Sequence, residues 1–175
     1  MALPDGSMFS KSDVVRRIII SGPSGSGKTT LINRVLQYNE KCQLVVSHTT
    51  RSPRDDEIDT VHYHFVDQEQ MKYLIQTGEM FEFVEFDGQM YGTSKSSVYD
   101  VENAGKICIF DVLAESALKL KKVFGGPSVL IFIKPPSLEV LKQRLLDRGD
   151  TGNIERRIES AKEELEYGVA ICPYV

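Results

Sequence analysis

The chain has 175 residues, of which 41% are hydrophobic and 26% are charged, a length and composition that suit one well-buried soluble domain. Its 21 basic and 25 acidic side chains give a net charge of −4, which argues against a protein that neutralises phosphates along a nucleic-acid groove. No apolar run approaches the ~20 residues of a membrane span, so we expect neither nucleic acid nor a membrane as a partner. A small phosphorylated ligand is compatible with this composition, because it needs only a local positive cluster.

The N-terminal segment and the cysteines favour a cytoplasmic location. The N-terminus lacks the basic segment followed by an apolar one that marks a secretion signal. Residues 1–7 are expected to be a tag or a flexible leader, which leaves one domain over residues 8–175. Cys42, Cys108 and Cys172 are far apart and form no C-x-x-C pair, so we expect them to be reduced.

The N-terminal end of the domain predicts the first part of an α/β core. Val14–Ser21 (VVRRIIIS) is an apolar, β-branched run that ends at a glycine-rich turn, as a buried parallel strand does. Lys28–Tyr38 (KTTLINRVLQY) has apolar residues at helical spacing, and Gln43–Ser47 (QLVVS) is expected to be a second strand.

The middle of the chain, residues 47–95, predicts a small α+β insertion. The segment VHYHFVD is typical of a strand, and residues 67–78 predict a short helix with Asp67 as its N-cap and Gln70 completing a capping box. The following EMFEFVEFDGQMYG predicts a strand, a turn at Asp87–Gly88 and a return strand.

The α/β core is expected to resume after the insertion. Lys106–Val112 and Ser128–Lys134 are apolar runs bounded by glycine or proline, and LAESALKLKKVF between them has the pattern of a crossover helix. Strands that alternate with helices predict a parallel sheet with helices on both faces. The core is therefore expected to cover residues 14–46 and 100–136.

A phosphate-binding loop is predicted between the first strand and the first helix. Gly22–Thr29 (GPSGSGKT) matches G-x-x-x-x-G-K-[ST] at every fixed position. Glycines let successive N–H groups converge on phosphate oxygens, Lys28 would reach the β- and γ-phosphates, and Thr29 would ligate Mg²⁺. The residues expected to bind the phosphates are Gly22, Pro23, Ser24, Gly25, Ser26, Gly27, Lys28, Thr29 and Thr30.

The loop alone does not separate kinases from GTPases or ATPases. The chain has no N-K-x-D motif and no D-x-x-G switch after the second strand, which disfavours a GTPase. Asp111 ends the apolar run ICIFD, where a second carboxylate that organises Mg²⁺ would lie. The alternative for Asp111 is an ordinary aspartate that caps a turn at the end of a strand.

Two arginines follow the second predicted strand in SHTTRSPRDDE. Arg51 and Arg54 could each form charge-assisted hydrogen bonds with an anion, worth about 1.5–3 kcal/mol apiece. The alternative is that they pair with the acids that follow them along the chain, which are Asp55, Asp56, Glu57 and Asp59.

From about Arg16 onward the chain resembles the guanylate kinases, which transfer a phosphoryl group from ATP to GMP. The segments SGPSGSGKTT, VSHTTRSPR, HYHF, EFVEFDGQMYGTS, ICIFDV and KPPSLEVLKQRLLDRG occur in the family's order and spacing. The resemblance implies a P-loop kinase that uses ATP, GMP and Mg²⁺, with the insertion over residues 47–95 as its GMP-binding region. It assigns Arg51, Arg54, Tyr63 and Tyr91 to the GMP phosphate. A monomer is expected, with a dimer as the alternative.

Glu82 is the residue that points to guanine. In an alternating strand it shares a face with Met80, Val84 and Phe86, and a carboxylate in such surroundings needs a partner. Guanine offers adjacent N1–H and N2–H₂ donors, whereas adenine presents an acceptor at N1. The alternative is an exposed strand glutamate. By resemblance, Ser47 and Thr93 complete the guanine pocket.

The resemblance also implies a helical lid over about residues 137–160. Arg144 and Arg148 are one helical turn apart and lie on one face, and Arg157 follows on the next helix. In the family such arginines close over ATP and spread the charge of the transferring phosphoryl group. The alternative is a solvated helix whose arginines pair with Asp147, Glu155 and Glu159.

The chain departs from the family pattern in two places. Leu113 stands where the family usually has a second acid near the guanine amino group, and the loss of one charge-assisted contact would weaken GMP binding about ten- to a hundredfold. Glu115 is the candidate to compensate. The chain also ends at Val175, about where the family's last core strand begins, so the family's C-terminal strand and helix are not in this sequence.

Two other functions compete with GMP kinase. The first is a non-catalytic guanylate kinase-like module that binds phosphopeptides in the GMP cleft. Such modules usually lack the lysine of the phosphate loop, and Lys28 is present here. The second is a kinase for another nucleoside monophosphate, which Leu113 permits and Glu82 opposes.

Overall fold

The computed structural model describes residues 15–147 and 154–172. In chain order the strands are β1 (Arg17–Ser21), β2 (Cys42–Leu44), β3 (His48–Thr49), β4 (His64–Phe65), β5 (Met80–Phe86), β6 (Gln89–Ser94), β7 (Ile107–Val112) and β8 (Ser128–Phe132). The helices are α1 (Lys28–Tyr38), α2 (Gln68–Gln76), α3 (Lys95–Asn103), α4 (Ala114–Phe124), α5 (Leu138–Asp147) and α6 (Ile154–Ile171).

Four strands form the parallel sheet that the apolar runs predicted. Their order is β2-β7-β1-β8, and every neighbouring pair is parallel. The predicted strands are shorter in the structure, because pairing with β7 and β8 begins only at Arg17 and pairing of β2 ends at Leu44. The α/β fold class is confirmed.

Helices cover both faces of this sheet, so the core has two halves. On one face α1 contributes Ile32, which packs with Ile20 and Ile109. On the other face α3 and α4 contribute Val98 and Leu120, which belong to a second buried cluster. Adjacent strand residues therefore feed opposite halves of the core, as the two-residue repeat of a strand requires.

The insertion forms a second, mixed sheet in the order β4-β3-β6-β5. The strand predicted from VHYHFVD is only two residues long, because β4 pairs with β3 at His64 and Phe65 alone. Strands β5 and β6 pair over their whole lengths around the predicted turn at Asp87 and Gly88. Gly92 is required in β6, because a Cβ there would lie 2.8 Å from the carbonyl oxygen of Glu82.

The capping box predicted for α2 is present, with Asp67 Oδ1 accepting from the Gln70 amide and Gln70 Oε1 accepting from the Asp67 amide. Helix α3 was not predicted. It begins where Ser94 Oγ accepts from the Ser97 amide, and its apolar signal is limited to Val98 and Val101, which is too little to mark a helix in the sequence.

The two helices expected after Ser137 are α5 and α6, which pack together through Leu141, Leu145 and Ala161. Arg148, predicted on the first of these helices, lies outside the described residues, as do residues 1–7. Across the described part of the chain, no helix has both the length and the apolar character needed to cross a membrane.

Candidate active site

The phosphate loop joins β1 to α1, and its glycines adopt backbone angles that other residues rarely reach. Gly22 has φ of 141°, and a Cβ there would lie 2.3 Å from the carbonyl oxygen of Ile133. Gly27, which precedes the first residue of α1, has φ of 109°. Both positions need glycine because their positive φ angles are rarely adopted by other residues. At Gly22 a side chain would also clash with the Ile133 carbonyl.

Lys28 lies over the loop that it belongs to. Its Nζ donates hydrogen bonds to the carbonyl oxygens of Gly22 at 2.6 Å and Pro23 at 3.2 Å. It also lies 3.8 Å from Asp111 Oδ1 at the end of β7. Burial raises the pKa of Asp111, while Lys28 and the Thr29 hydroxyl oppose that shift.

The side chains of Thr29 and Asp111 meet at the same place. Thr29 Oγ1 donates to Asp111 Oδ2 at 3.4 Å. A hydroxyl and a carboxylate are hard oxygen ligands of the kind that Mg²⁺ prefers when phosphates and water supply the rest of its shell. The pair therefore fits the predicted metal role, since it directs oxygen atoms to the phosphate loop.

Helix α5 packs directly against the phosphate loop. Leu145 and Leu141 approach the space beside Gly25 at 3.3 Å and 3.5 Å from an ideal Cβ. Arg144 Nη1 donates to the carbonyl oxygens of Ser26 at 3.1 Å and Gly25 at 3.3 Å. Arg144 is thus held at the loop, whereas Arg148, predicted beside it, lies outside the described residues.

The two arginines of SHTTRSPRDDE share one carboxylate. Arg51 donates from Nη1 to Glu57 Oε2 at 2.8 Å and from Nη2 to Glu57 Oε1 at 2.9 Å. Arg54 Nη1 lies 3.5 Å from Glu57 Oε1. Pairing with the following acids, which the sequence left open as an alternative, is therefore seen for Glu57. The pair is largely buried, with Glu57 exposing 10% of its side chain, unlike a solvated loop ion pair.

Two tyrosines lie beside the arginines, as the resemblance implied. The Arg51 guanidinium carbon is 5.4 Å from the Tyr63 ring centroid, and the rings of Tyr63 and Tyr91 are 6.2 Å apart. Burial, with the nearby Asp111 carboxylate, raises the pKa of Tyr63 to about 12. Tyr63 is therefore a neutral hydroxyl donor at physiological pH.

A single cleft brings the two predicted phosphate sites together. Its lining includes Pro23 and Ser24 of the phosphate loop, Arg51 and Arg54 of the insertion, and Arg157 of α6. Residues that are far apart in the sequence thus surround one space, and most of their charged groups are cationic. Such a space suits two phosphorylated ligands that meet end to end.

Glu164 also lines this cleft, although no sequence pattern predicted it. Its Oε1 accepts from the Ala114 amide at 3.3 Å, across 50 residues of sequence. Burial raises the pKa of Glu164, while Lys28 opposes the shift. Nothing local in its helix distinguishes Glu164 from the other acids of α6, so the tertiary contact alone identifies it.

Glu82 is buried, as the alternation in β5 predicted. It is 5% exposed, and Thr93 donates from Oγ1 to its Oε1 at 2.7 Å. Among the described residues its Oε2 has no hydrogen-bond partner. Burial raises the pKa of Glu82, and the hydroxyls of Ser116 and Thr93 oppose that shift. Glu82 and Thr93 face each other in the β5–β6 register.

The remaining predicted base-pocket residues lie near the ends of strands. Ser47 directly precedes β3, and its carbonyl accepts from the His64 amide at 2.8 Å. Leu113 precedes the first residue of α4 and makes no side-chain cap. Glu115 pairs with Lys119 at 2.7 Å and exposes 61% of its side chain, so it does not replace the missing acid. Ser116, which was not predicted, lies close enough to Glu82 for its hydroxyl to oppose the rise that burial causes in the pKa of that carboxyl.

Comparison with known proteins identifies one family. A family model described as guanylate kinase matches residues 14–171. The chain is 40% identical over 154 residues to a guanylate kinase of Sus scrofa. This matched region is 86% of this chain and 77% of the relative. The chain is also 37% identical over 152 residues to a guanylate kinase of Salinibacter ruber, and the matched region is 85% of this chain and 80% of the relative.

Other relatives are longer than this chain. Guanylate kinase 1 of Oryza sativa is 41% identical over 152 residues, and the matched region is 85% of this chain but only 40% of the relative. The chain therefore spans about two fifths of the length of this plant relative. Among solved structures, the guanylate kinase of Anaplasma phagocytophilum is similar, with a TM-score of 0.65 and 27% identity over 88% of this chain and 86% of that one.

Proposed function

The chain belongs to the guanylate kinase family, and from this membership we propose that it is a Mg²⁺-dependent kinase that transfers the γ-phosphoryl group of ATP to GMP and releases ADP and GDP. The observation that carries this proposal is the shared cleft, which is lined both by the phosphate loop and Arg157 and by Arg51 and Arg54. A hydrolase would need only the first of these two sites. A kinase needs both, with the donor and acceptor phosphates in line.

Each residue has a role in this proposal. Gly22, Gly25, Gly27, Lys28 and the other residues of the loop bind the ATP phosphates, and Thr29 and Asp111 hold Mg²⁺, which supplies neutralisation of phosphate charge when bound. Arg51, Arg54, Tyr63 and Tyr91 bind the GMP phosphate. Arg144, Arg148 and Arg157 stabilise the charge of the transferring group, because phosphoryl transfer depends on positioning and electrostatics more than on a base.

Glu82 selects the base in the same proposal. Its Oε2 has no partner among the described residues, so it leaves a buried acceptor that costs free energy until a donor arrives. Guanine N1–H and N2–H₂ are such donors, and adenine has an acceptor at N1 that an ionised carboxylate would repel. Ser47 and Thr93 complete this pocket, with Thr93 also holding the carboxylate in place.

The test is a coupled ADP-release assay with GMP, dGMP, AMP, CMP and UMP. We expect turnover with GMP and dGMP, and much slower turnover with AMP, CMP and UMP. If no nucleotide is turned over, and a phosphoserine peptide binds and is displaced by GMP, the chain is instead a non-catalytic phosphopeptide module. If AMP is turned over as well as GMP, Glu82 does not select the base.

We extend the proposal to the organisation and location of the protein. Residues 8–175 act as one guanylate kinase-like domain, with the core over about 14–46 and 100–136, the GMP-binding region over about 47–95 and the lid over about 137–160. A monomer is the expected state. A cytoplasmic location is supported by the cysteines, which are free thiols.

A further inference from the structure

The hydrogen bonds of Arg51 give a role to Glu57, which the motifs did not single out. A guanidinium has five N–H donors. Both Nη1 hydrogens of Arg51 are used, one on the Ser52 carbonyl at 2.7 Å and one on Glu57 Oε2 at 2.8 Å. One Nη2 hydrogen is used on Glu57 Oε1 at 2.9 Å.

The two donors that Glu57 and Ser52 do not use lie together on the neighbouring edge of the guanidinium. They are Nε–H and the second Nη2 hydrogen, and adjacent donors of this kind form a fork that matches two oxygens of a phosphate. Tyr91, whose phenol interacts with Arg51, lines the cleft together with Arg51 and Arg157. The carboxylate thus holds one edge of Arg51 and leaves the Nε–Nη2 edge to be shared by the Tyr91 phenol and a ligand in the cleft.

Glu57 is itself fixed by the loop that carries the arginines. The Arg54 amide donates to Glu57 Oε2 at 2.8 Å, and the Glu57 amide donates back to the Arg54 carbonyl at 3.0 Å. The Arg51 guanidinium carbon also lies 5.8 Å from the Phe65 ring centroid. Glu57 is therefore part of a closed turn, and only 10% of its side chain is exposed.

We propose that Glu57 is a positioning residue of the acceptor-phosphate clamp: it fixes the Arg51 guanidinium so that the Nε–Nη2 edge, together with the Tyr91 phenol, binds a phosphate monoester dianion in the cleft. The identity of that monoester as GMP rests on the proposed function. A competing arrangement has Glu57 occupy the clamp until the substrate displaces it. The two arrangements predict opposite effects when the carboxylate is moved away from Arg51.

Glu57→Asp separates these arrangements, because it keeps the negative charge and shortens the side chain by one methylene. The matched control is Asp56→Asn, which removes a charge from the adjacent, exposed acid without touching Arg51. GMP and inorganic phosphate are titrated by calorimetry, the KM values for GMP and ATP are measured, and Tm is recorded for each chain.

Glu57→Asp is expected to weaken binding of GMP about tenfold or more. It should also weaken the binding of inorganic phosphate, leave the KM for ATP unchanged and keep Tm close to that of wild type. Asp56→Asn should match wild type in all of these quantities. Binding of GMP by Glu57→Asp that equals or exceeds wild type would overturn the proposal. The proposal would also be overturned if Glu57→Asp raised the KM values for ATP and GMP equally and lowered Tm by a large amount, since that combination marks a general structural role.

The outcome is separable from that of the proposed function. A wild-type chain that binds GMP but transfers nothing would refute the kinase, while the Glu57 variants would still be judged by binding alone. A wild-type chain that binds neither GMP nor inorganic phosphate would overturn both proposals.

Discussion

Replacing Glu82 by glutamine is expected to weaken GMP binding and, at neutral pH, to stabilise the ligand-free fold. The two effects have one origin, which is a carboxylate that is 5% exposed and bonded on only one oxygen by a described residue. Burying such a group as an ion costs desolvation free energy. That cost is offset only when a ligand donates a hydrogen bond to the carboxylate.

The effect on binding follows from the hydrogen bonds available to glutamine. Its amide oxygen can still accept from Thr93, which donates to Oε1 at 2.7 Å in the native chain. Its NH₂ group then replaces Oε2 and meets the N1–H donor of guanine. The loss of one charge-assisted bond is worth about 1.5–3 kcal/mol, so GMP affinity should fall about ten- to a hundredfold. The preference for GMP over AMP should fall with it, because adenine N1 accepts from an amide.

The effect on stability depends on pH. Burial raises the pKa of Glu82 against the opposing hydroxyls of Ser116 and Thr93. The folded chain therefore holds this proton more tightly than the unfolded chain does, so the stability associated with it is present below the unfolded pKa and is lost as pH rises through the folded pKa. Glutamine does not ionise. The Tm of Glu82→Gln should thus exceed that of wild type at pH 7.5, and the difference should shrink towards pH 4.5.

The assay is calorimetric titration with GMP and AMP, together with thermal unfolding between pH 4.5 and 7.5. The matched control is Glu85→Gln on the same strand, since Glu85 is exposed and should change neither quantity. Unchanged GMP affinity in Glu82→Gln would mean that Glu82 does not face the base. A lower Tm at pH 7.5 would mean that the ionised carboxylate already has a stabilising partner without ligand.

Three other substitutions test separate parts of the site. Lys28→Ala should abolish turnover and leave GMP binding nearly intact by titration, and loss of GMP binding would refute the division into two phosphate sites. Leu113→Asp should tighten GMP about ten- to a hundredfold and raise Tm through a new N-cap on α4; unchanged GMP affinity would place residue 113 outside the pocket. Gly92→Ala puts a Cβ 2.8 Å from the Glu82 carbonyl oxygen. It should therefore lower the free energy of unfolding by about 1–3 kcal/mol and weaken GMP binding. An unchanged Tm would contradict the close approach.

The features that the sequence predicted are those with a local cause. The phosphate loop follows from a strand, fixed glycine positions and a helix that are contiguous in the chain. The burial of Glu82 follows from alternation along β5, because the residues on either side of it in the strand face solvent or the opposite side of the sheet. The capping box of α2 lies within four residues.

The features that the sequence missed depend on distant parts of the chain. Glu164 bonds to Ala114 across 50 residues, and no periodicity in α6 marks one acid above the others. The choice between a ligand and Glu57 as the partner of Arg51 stayed open because it depends on how the loop closes. Glu115 was a candidate to compensate for Leu113, but its side chain is 61% exposed and pairs with Lys119 one helical turn away.

The two phosphate sites differ in how ready they are for a ligand. Lys28 Nζ bonds to the carbonyls of Gly22 and Pro23, and Arg144 bonds to those of Gly25 and Ser26, so these cations are bound to oxygens of the phosphate loop itself. In the proposed kinase the donor triphosphate would therefore have to replace these bonds within the protein before it forms its own. Arg51 instead bonds to Ser52 and Glu57 through Nη1 and Nη2, and a further partner of its guanidinium, the Tyr91 phenol, is a side chain that lines the cleft. A preorganised donor loses less entropy when it binds. In the proposed kinase the acceptor phosphate would therefore meet a clamp already in place, whereas the donor phosphates would first have to rearrange theirs.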